Sequence, residues 1–195
     1  MGARETLGFL LLQARRADDV VRAEEQRAFA TQLGVSLKQI QPVDILTQKL
    51  DIERIQDADA VLVGGAGEFG VVDPEQPVLN MIQFLTKTTE KGHPIFASCF
   101  GFQALVVGLG GSVEEDEPNA EVGTYDLETT PDAATDPVFS LLPNKFKAQL
   151  GHKDRALRMP SCVTNMAQSK LCPHQALRVD GTPVYATQFH PELTW

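Results

Sequence analysis

Apolar positions follow two different rhythms along this chain, and the change comes past its middle. In the first half, short runs with almost no polar residue alternate with longer stretches in which apolar residues recur every three or four positions. The runs at 6–12, 59–63 and 93–98 predict buried strands, because a strand covered on both faces has no polar side to show. The stretch at 20–33 predicts a helix. Val21, Ala28, Phe29 and Leu33 form its apolar stripe, Arg22, Glu24, Glu25 and Arg27 turn to water, and Gly34 stops it. Residues 36–46 read as an extended connection and a second strand, interrupted by Pro42. A further helix is predicted over 77–91, with a proline in its first turn and Val78, Ile82 and Leu85 on one face. Another spans 100–107 and ends at Gly108. This βαβα order predicts an α/β protein whose mostly parallel sheet is covered on both faces.

After Gly111 the segments shorten and alternate. Residues 121–129, 145–149, 163–167 and 175–179 read as strands, and Asp180-Gly181 reads as a hairpin turn into a last strand at 183–189. They predict a largely antiparallel C-terminal β extension that closes on the same sheet. The acidic run Glu114-Glu115-Asp116-Glu117 reads as a solvated loop. No repeat or linker breaks the pattern, so residues 1–195 are expected to form one domain. A domain of this length buries roughly 70% of its unfolded surface and needs no staple.

Composition narrows the function. Apolar residues make up 43% of the chain and charged residues 22%, as in ordinary globular proteins. Lys and Arg total 17 against 26 Asp and Glu, a formal charge of -9. That field repels phosphate backbones and anionic lipid surfaces, so neither nucleic acid nor membrane is an expected partner. The run Leu7-Gly8-Phe9-Leu10-Leu11-Leu12 is too short to span a bilayer and lacks the cleavage pattern of a signal peptide, so a cytoplasmic protein is expected. Three cysteines without a CxxC pair exclude a disulfide framework. Cys162 and Cys172 read as packed thiols, His174 beside them as structural, and no metal site is expected. Met159 and Met166 read as core or strand residues, His93 as the end of a loop, and Trp195 as a packing residue or a free end.

Candidate chemistry starts at Cys99. A buried strand meets a helix there with no spacer, and such a turn exposes a side chain at the carboxyl edge of the sheet. It also sets the thiol at a helix N-terminus, where unpaired N–H groups favour an anion. Ala97, Ser98 and Gly101 supply the small residues a tight turn needs. On this segment alone, a core cysteine ending a strand is an equal reading. Far along the chain, Phe189-His190-Pro191-Glu192 follows a predicted strand. Residues i and i+2 of an extended chain share a face, so His190 and Glu192 can point together, the carboxylate holding the imidazole's tautomer. Alone, this is a weak signal, the other reading being an exposed turn with a chance His and Glu. Gly64-Gly65-Ala66-Gly67 ends the strand at 59–63, where its backbone can approach the same sheet edge. As a phosphate loop it fails, having neither GK[ST] nor GxGxxG spacing. Together the three segments form one coherent acyl-transfer site.

These residues resemble the class I, triad-type glutamine amidotransferases, a family that includes the glutaminase domains of GMP synthase and anthranilate synthase. The family elbow, roughly GxCxGxQ, is matched by residues 97–103, its FHPE by residues 189–192, and its GGPG strand end by residues 64–67. Gly151-His152-Lys153-Asp154 looks like the segment that helps hold glutamine, largely through backbone. The similarity also runs through 121–123 and 136–139, covering most of the chain from about residue 58. Ala97 replaces the usual Gly, Ala66 the usual Pro, and Phe102 a frequent His, which implies a more apolar pocket wall. The family's terminal helix would follow Glu192, so a domain lacking that helix is expected.

The resemblance implies a flavodoxin-like three-layer sandwich and hydrolysis of the glutamine amide through a Cys99 thioester. In it His190 is the base and Glu192 its orienter, while Gly65 and Phe100 form the oxyanion hole. Gln103, His152 and Lys153 bind substrate. No metal or organic cofactor is implied, and ammonia would pass to a separate synthase or acceptor subunit. The alternatives are a γ-glutamyl peptidase or hydrolase acting on a conjugate, and a catalytically silent regulatory subunit.

Overall fold

In the computed structural model, residues 3–193 are described, and Trp195 lies outside them. The first half alternates as β1 (Phe9–Gln13), α1 (Val21–Leu33), β2 (Ile40–Asp44), β3 (Ala60–Val63), α2 (Gln76–Glu90), β4 (Ile95–Ser98) and α3 (Phe100–Gly108). Then follow β5 (Ser112–Glu115), β6 (Glu121–Thr129), β7 (Lys145–His152), β8 (Asp154–Arg158), β9 (Val163–Ser169), β10 (Ala176–Val179) and β11 (Val184–Thr187). Nine strands form one sheet in the order β2-β1-β3-β4-β11-β10-β9-β6-β7, while β5 and β8 pair as a separate antiparallel ribbon. The five strands from β2 to β11 run parallel, and the four beyond are antiparallel. This is the flavodoxin-like architecture expected from the sequence, with the antiparallel extension added at one side.

Alternation along β1 explains the layers. Leu10 and Leu12 join the core beneath α2 and α3, with Val61, Val63, Met81, Leu85 and Leu105. Phe9 and Leu11 face the other way, against Phe29 and Ala30 of α1. All five β1 residues are buried, and each such Leu or Phe contributes about 1.5–3 kcal/mol over an exposed one. A third cluster around Leu127, Phe139, Met166 and Phe189 packs the antiparallel half. Pro42 sits in β2 because that strand is an edge, where a missing N–H is tolerated. Met159 packs at the margin of the core, and His93 lies in the turn before β4. Among the described residues, no helix is long and apolar enough to cross a membrane, and no cluster of His, Cys, Asp or Glu could hold a metal ion.

Four local expectations change. Glu25 does not face water: it is 6% exposed and turned into the sheet, where Gln13 donates to it at 2.8 Å. The acidic run is not a loop throughout, since Glu114 and Glu115 belong to β5 and pair across to β8. Arg155 approaches Glu114 at 3.5 Å and Asp116 at 2.6 Å, and Lys153 approaches Glu115 at 3.3 Å. Cross-strand ion pairs therefore stand where apolar alternation would have announced a strand. Cys162 is exposed, so only Cys172 is a packed thiol. Phe102 is wholly buried in the core and walls no pocket.

Candidate active site

The junction of β4 and α3 is as abrupt as the sequence suggests. Cys99 caps the helix with φ 49° and ψ −102°, the only positive φ at a non-glycine residue among those described. Its backbone N–H is tied to the Thr187 carbonyl of β11 at 2.7 Å, and its carbonyl accepts from Gln103 N–H at 3.1 Å. Phe100 N–H, in the first turn, has no intrahelical acceptor. Gly101 lets the helix lie close: a Cβ there would come within 2.7 Å of the Val63 Cβ and 2.9 Å of the Ala97 Cβ.

β11 brings the second group. It pairs in parallel with β4, Thr187 opposite Ser98, so the chain leaving β11 passes beside the elbow. His190 N–H bonds the Gln149 carbonyl at 2.9 Å, and Leu193 N–H closes a turn back to His190 O at 3.3 Å. The strand has ended at Thr187, so it is this turn, not strand alternation, that aims His190 and Glu192 together. Pro191 stays exposed, as its place between them requires. His190 Nδ1 lies 2.7 Å from Glu192 Oε1, and Ser98 Oγ donates to the same oxygen at 2.8 Å. The other side of the imidazole meets the Cys99 thiol. Burial alone would push the His190 imidazolium down; the hydrogen bonds to Cys99 and Glu192, with their negative charge, outweigh it and hold the pKa up to about 10.

The glycine turn faces this pair. A Cβ on Gly65 would stand 3.0 Å from His190 Cε1, so any larger residue would have to push the imidazole aside by a few tenths of an ångström. Beyond Cys99 a cleft of about 440 Å³ opens, walled by residues 66–70, Phe100, Gln103, Glu115 and residues 151–154. Gln103 Nε2 donates to Asp154 O at 3.0 Å and to Gln188 Oε1 at 3.3 Å. The His152 ring is committed to the interior, Nδ1 at 3.0 Å from Asp154 O and Nε2 at 3.1 Å from Glu121, so what it offers the cleft is backbone. Lys153 lies at the rim, paired with Glu115.

Three neighbours have places in the site that the sequence reading did not give them. Ser98 supports Glu192. Gln188 is fully buried, with its amide Nε2 3.7 Å from Cys99 Sγ. Asp154 has a buried Oδ1 without a hydrogen-bond partner among the described residues, and burial pushes its carboxyl up despite the charge of Lys153. Gln188 alone carried a signal, two positions before His190 and hence on its side of an extended chain.

A thiol on a strained elbow, backed by an imidazole and a carboxylate, suits attack on a carbonyl carbon, the acyl-transfer chemistry of several α/β classes. Within those classes the assignment is specific: the glutamine amidotransferase class-I family model matches residues 24–195, and the chain belongs to that family. The match reaches back into α1, further than the motifs alone.

Relatives agree. The chain is 30% identical over 146 residues to a glutamine-hydrolysing GMP synthase of Thermosipho africanus, covering 75% of this chain and 26% of that one. It is 31% identical over 114 residues to one subunit of a glutamine-hydrolysing GMP synthase of Pyrococcus abyssi, 58% of each chain. It thus spans about a quarter of the first and just over half of the second. A glutamine amidotransferase from Thermotoga maritima shares the fold, with a TM-score of 0.76 at 20% identity, covering 96% of this chain and 76% of that one.

Proposed function

We propose that this chain hydrolyses the side-chain amide of glutamine through a γ-glutamyl thioester on Cys99. Cys99 Sγ attacks the amide carbon with its proton already held on His190, and the N–H groups of Gly65 and Phe100 stabilise the oxyanion. Collapse breaks the C–N bond, and His190 returns the proton to the departing nitrogen, which leaves as ammonia. Water then attacks the thioester with His190 as base, and the C–S bond breaks to give glutamate and the free thiol. Glu192, steadied by Ser98, orients the imidazole and balances its charge. Gln103 and the backbone of His152 and Lys153 hold the substrate, with the Asp154 carboxylate available to its α-ammonium.

The observation that carries this reading is Cys99 on its positive-φ elbow, beside a carboxylate-backed His190 at the mouth of a cleft. Likeness to a protein named as one subunit of a synthase supports delivery of ammonia to a separate synthase or acceptor subunit. Extension of the cleft to Val72 and Asp73 favours, as a second reading, a γ-glutamyl conjugate as substrate.

Intact mass after incubation with a glutamine-mimicking diazoketone tests the proposal, because labelling needs no acceptor. One adduct, absent in Cys99→Ala and blocked by excess glutamine, is expected. No adduct on folded protein would sink it, and blocking by a γ-glutamyl conjugate but not by glutamine would favour the second reading.

A further inference from the structure

The glycine turn at 64–67 must stand in one place to serve an oxyanion, yet glycine backbone loses more freedom on ordering than any other. No proline stiffens it. Behind it lies a buried polar cluster that takes no part in the steps above. Arg15, just past the end of β1, is 11% exposed at its side chain. Its Nη2 would lie 3.7 Å from a Cβ on Gly65, and its Nη1 3.8 Å from one on Gly67. Nη1 donates to Asp19 at 3.0 Å and Nη2 to Glu25 Oε1 at 3.5 Å.

Glu25 is fixed from a second side by Gln13 and occupies the space beside the turn: its Oε1 would be 2.1 Å from a Cβ on Gly64, so only glycine fits there. Outside, Arg16 pairs with Glu68 and ties the same two loops at the surface. A buried pair of opposite charges is weak as a source of stability, because desolvation consumes most of the attraction. Burial pushes the Glu25 carboxyl up and the Arg15 charge draws it back. What the arrangement does supply is a held guanidinium and carboxylate filling the space beside three of the turn's four residues, where side chains would otherwise stand.

We propose that Arg15 and Glu25 are positioning residues of this site: the guanidinium, clamped by Glu25 and Asp19, is a strut beside Gly65 and Gly67 that fixes where the turn stands relative to His190. Its effect on catalysis rests on the glutaminase reading; the strut itself does not.

Two measurements on Arg15→Gln, Arg15→Lys and Glu25→Gln separate the claims. Hydrogen exchange reads the turn directly. Amides in 64–69 are expected to exchange about tenfold faster in Arg15→Gln, with β1, β3 and β4 unchanged and Arg15→Lys intermediate. Kinetics read the consequence. In Arg15→Gln, kcat for glutamine falls by about ten- to a hundredfold while KM stays within about threefold, since the lost contact matters where charge develops. Alkylation of Cys99 by iodoacetamide, which uses no oxyanion hole, keeps its rate. Glu25→Gln preserves size and gives the same direction if Arg15→Gln fails to fold. Unchanged exchange at 64–69, or exchange quickened throughout the sheet, overturns the strut. Wild-type protein inactive on glutamine, with the local exchange effect present, overturns the glutaminase reading and leaves the strut standing.

Discussion

Cys99 occupies a backbone conformation that costs about 1–3 kcal/mol at a residue with a side chain, held by the Thr187 and Gln103 hydrogen bonds on either side. Glycine adopts that conformation freely. Cys99→Gly and Cys99→Ala are both expected to abolish thioester formation, but Cys99→Gly unfolds at a temperature no lower than Cys99→Ala. Thermal unfolding checks this, and a clear deficit in the glycine variant would contradict strain at the elbow. For His190 the sign is definite. Its folded pKa of about 10 stands above its ordinary value, so its contribution to stability is complete below about pH 6.5 and is lost as pH rises through 10. Glu192→Gln removes one of the two groups that hold it up. The alkaline limb of kcat/KM should therefore move toward neutrality and kcat should fall about a hundredfold, as a rate–pH profile will read. An unmoved limb would deny Glu192 its role. Among the other thiols, burial pushes Cys172 up to about 11 while Cys162 is exposed. Under native conditions a disulfide reagent should therefore modify Cys162 at once and Cys172 only on unfolding.

Elements explain what the sequence did and did not disclose. The parallel strands were legible because burial on both faces leaves apolar runs, and the elbow because a strand and a helix met at Cys99 without a spacer. Helical spacing misplaced Glu25, since a charged side chain reads as exposed unless its partners are known, and Gln13 and Arg15 lie in and just after β1, not in the helix. The β5–β8 ribbon stayed hidden because charge pairing, not alternation, joins it. Phe102 was assigned to the pocket by position in the motif, but a helix turns each successive side chain by a quarter-circle or more, which sends it into the core. Two tests belong at this scale. Gly101→Ala forces α3 off β3 and β4, costing about 1–3 kcal/mol by overpacking and displacing the elbow. Denaturant unfolding and diazoketone labelling together check both effects. Arg155→Ala unpins the ribbon that walls the cleft while leaving Cys99 and His190 in place, so KM should rise with kcat nearly constant. A fall in kcat instead would mean that the ribbon reaches the reacting atoms.

The whole molecule is arranged around a strand that comes late in sequence and lies in the middle of the sheet. β11 is inserted between β4 and β10, joining the parallel half to the antiparallel half and anchoring Cys99 through Thr187. Contacts of this kind close long loops, which makes them slow to form. A chain cut after Gly181 would leave β4 and β10 without their shared neighbour. It is expected to show no cooperative unfolding by circular dichroism; a cooperative transition would mean that the rest of the sheet is stable without β11. The same insertion orders events in time. As the chain leaves the ribosome, its thiol emerges long before the imidazole that would serve it, and the two meet only when β11 slots home. On the glutaminase reading proposed above, a half-made copy would have a nucleophile but no base, and would spend no glutamine until the sheet is complete.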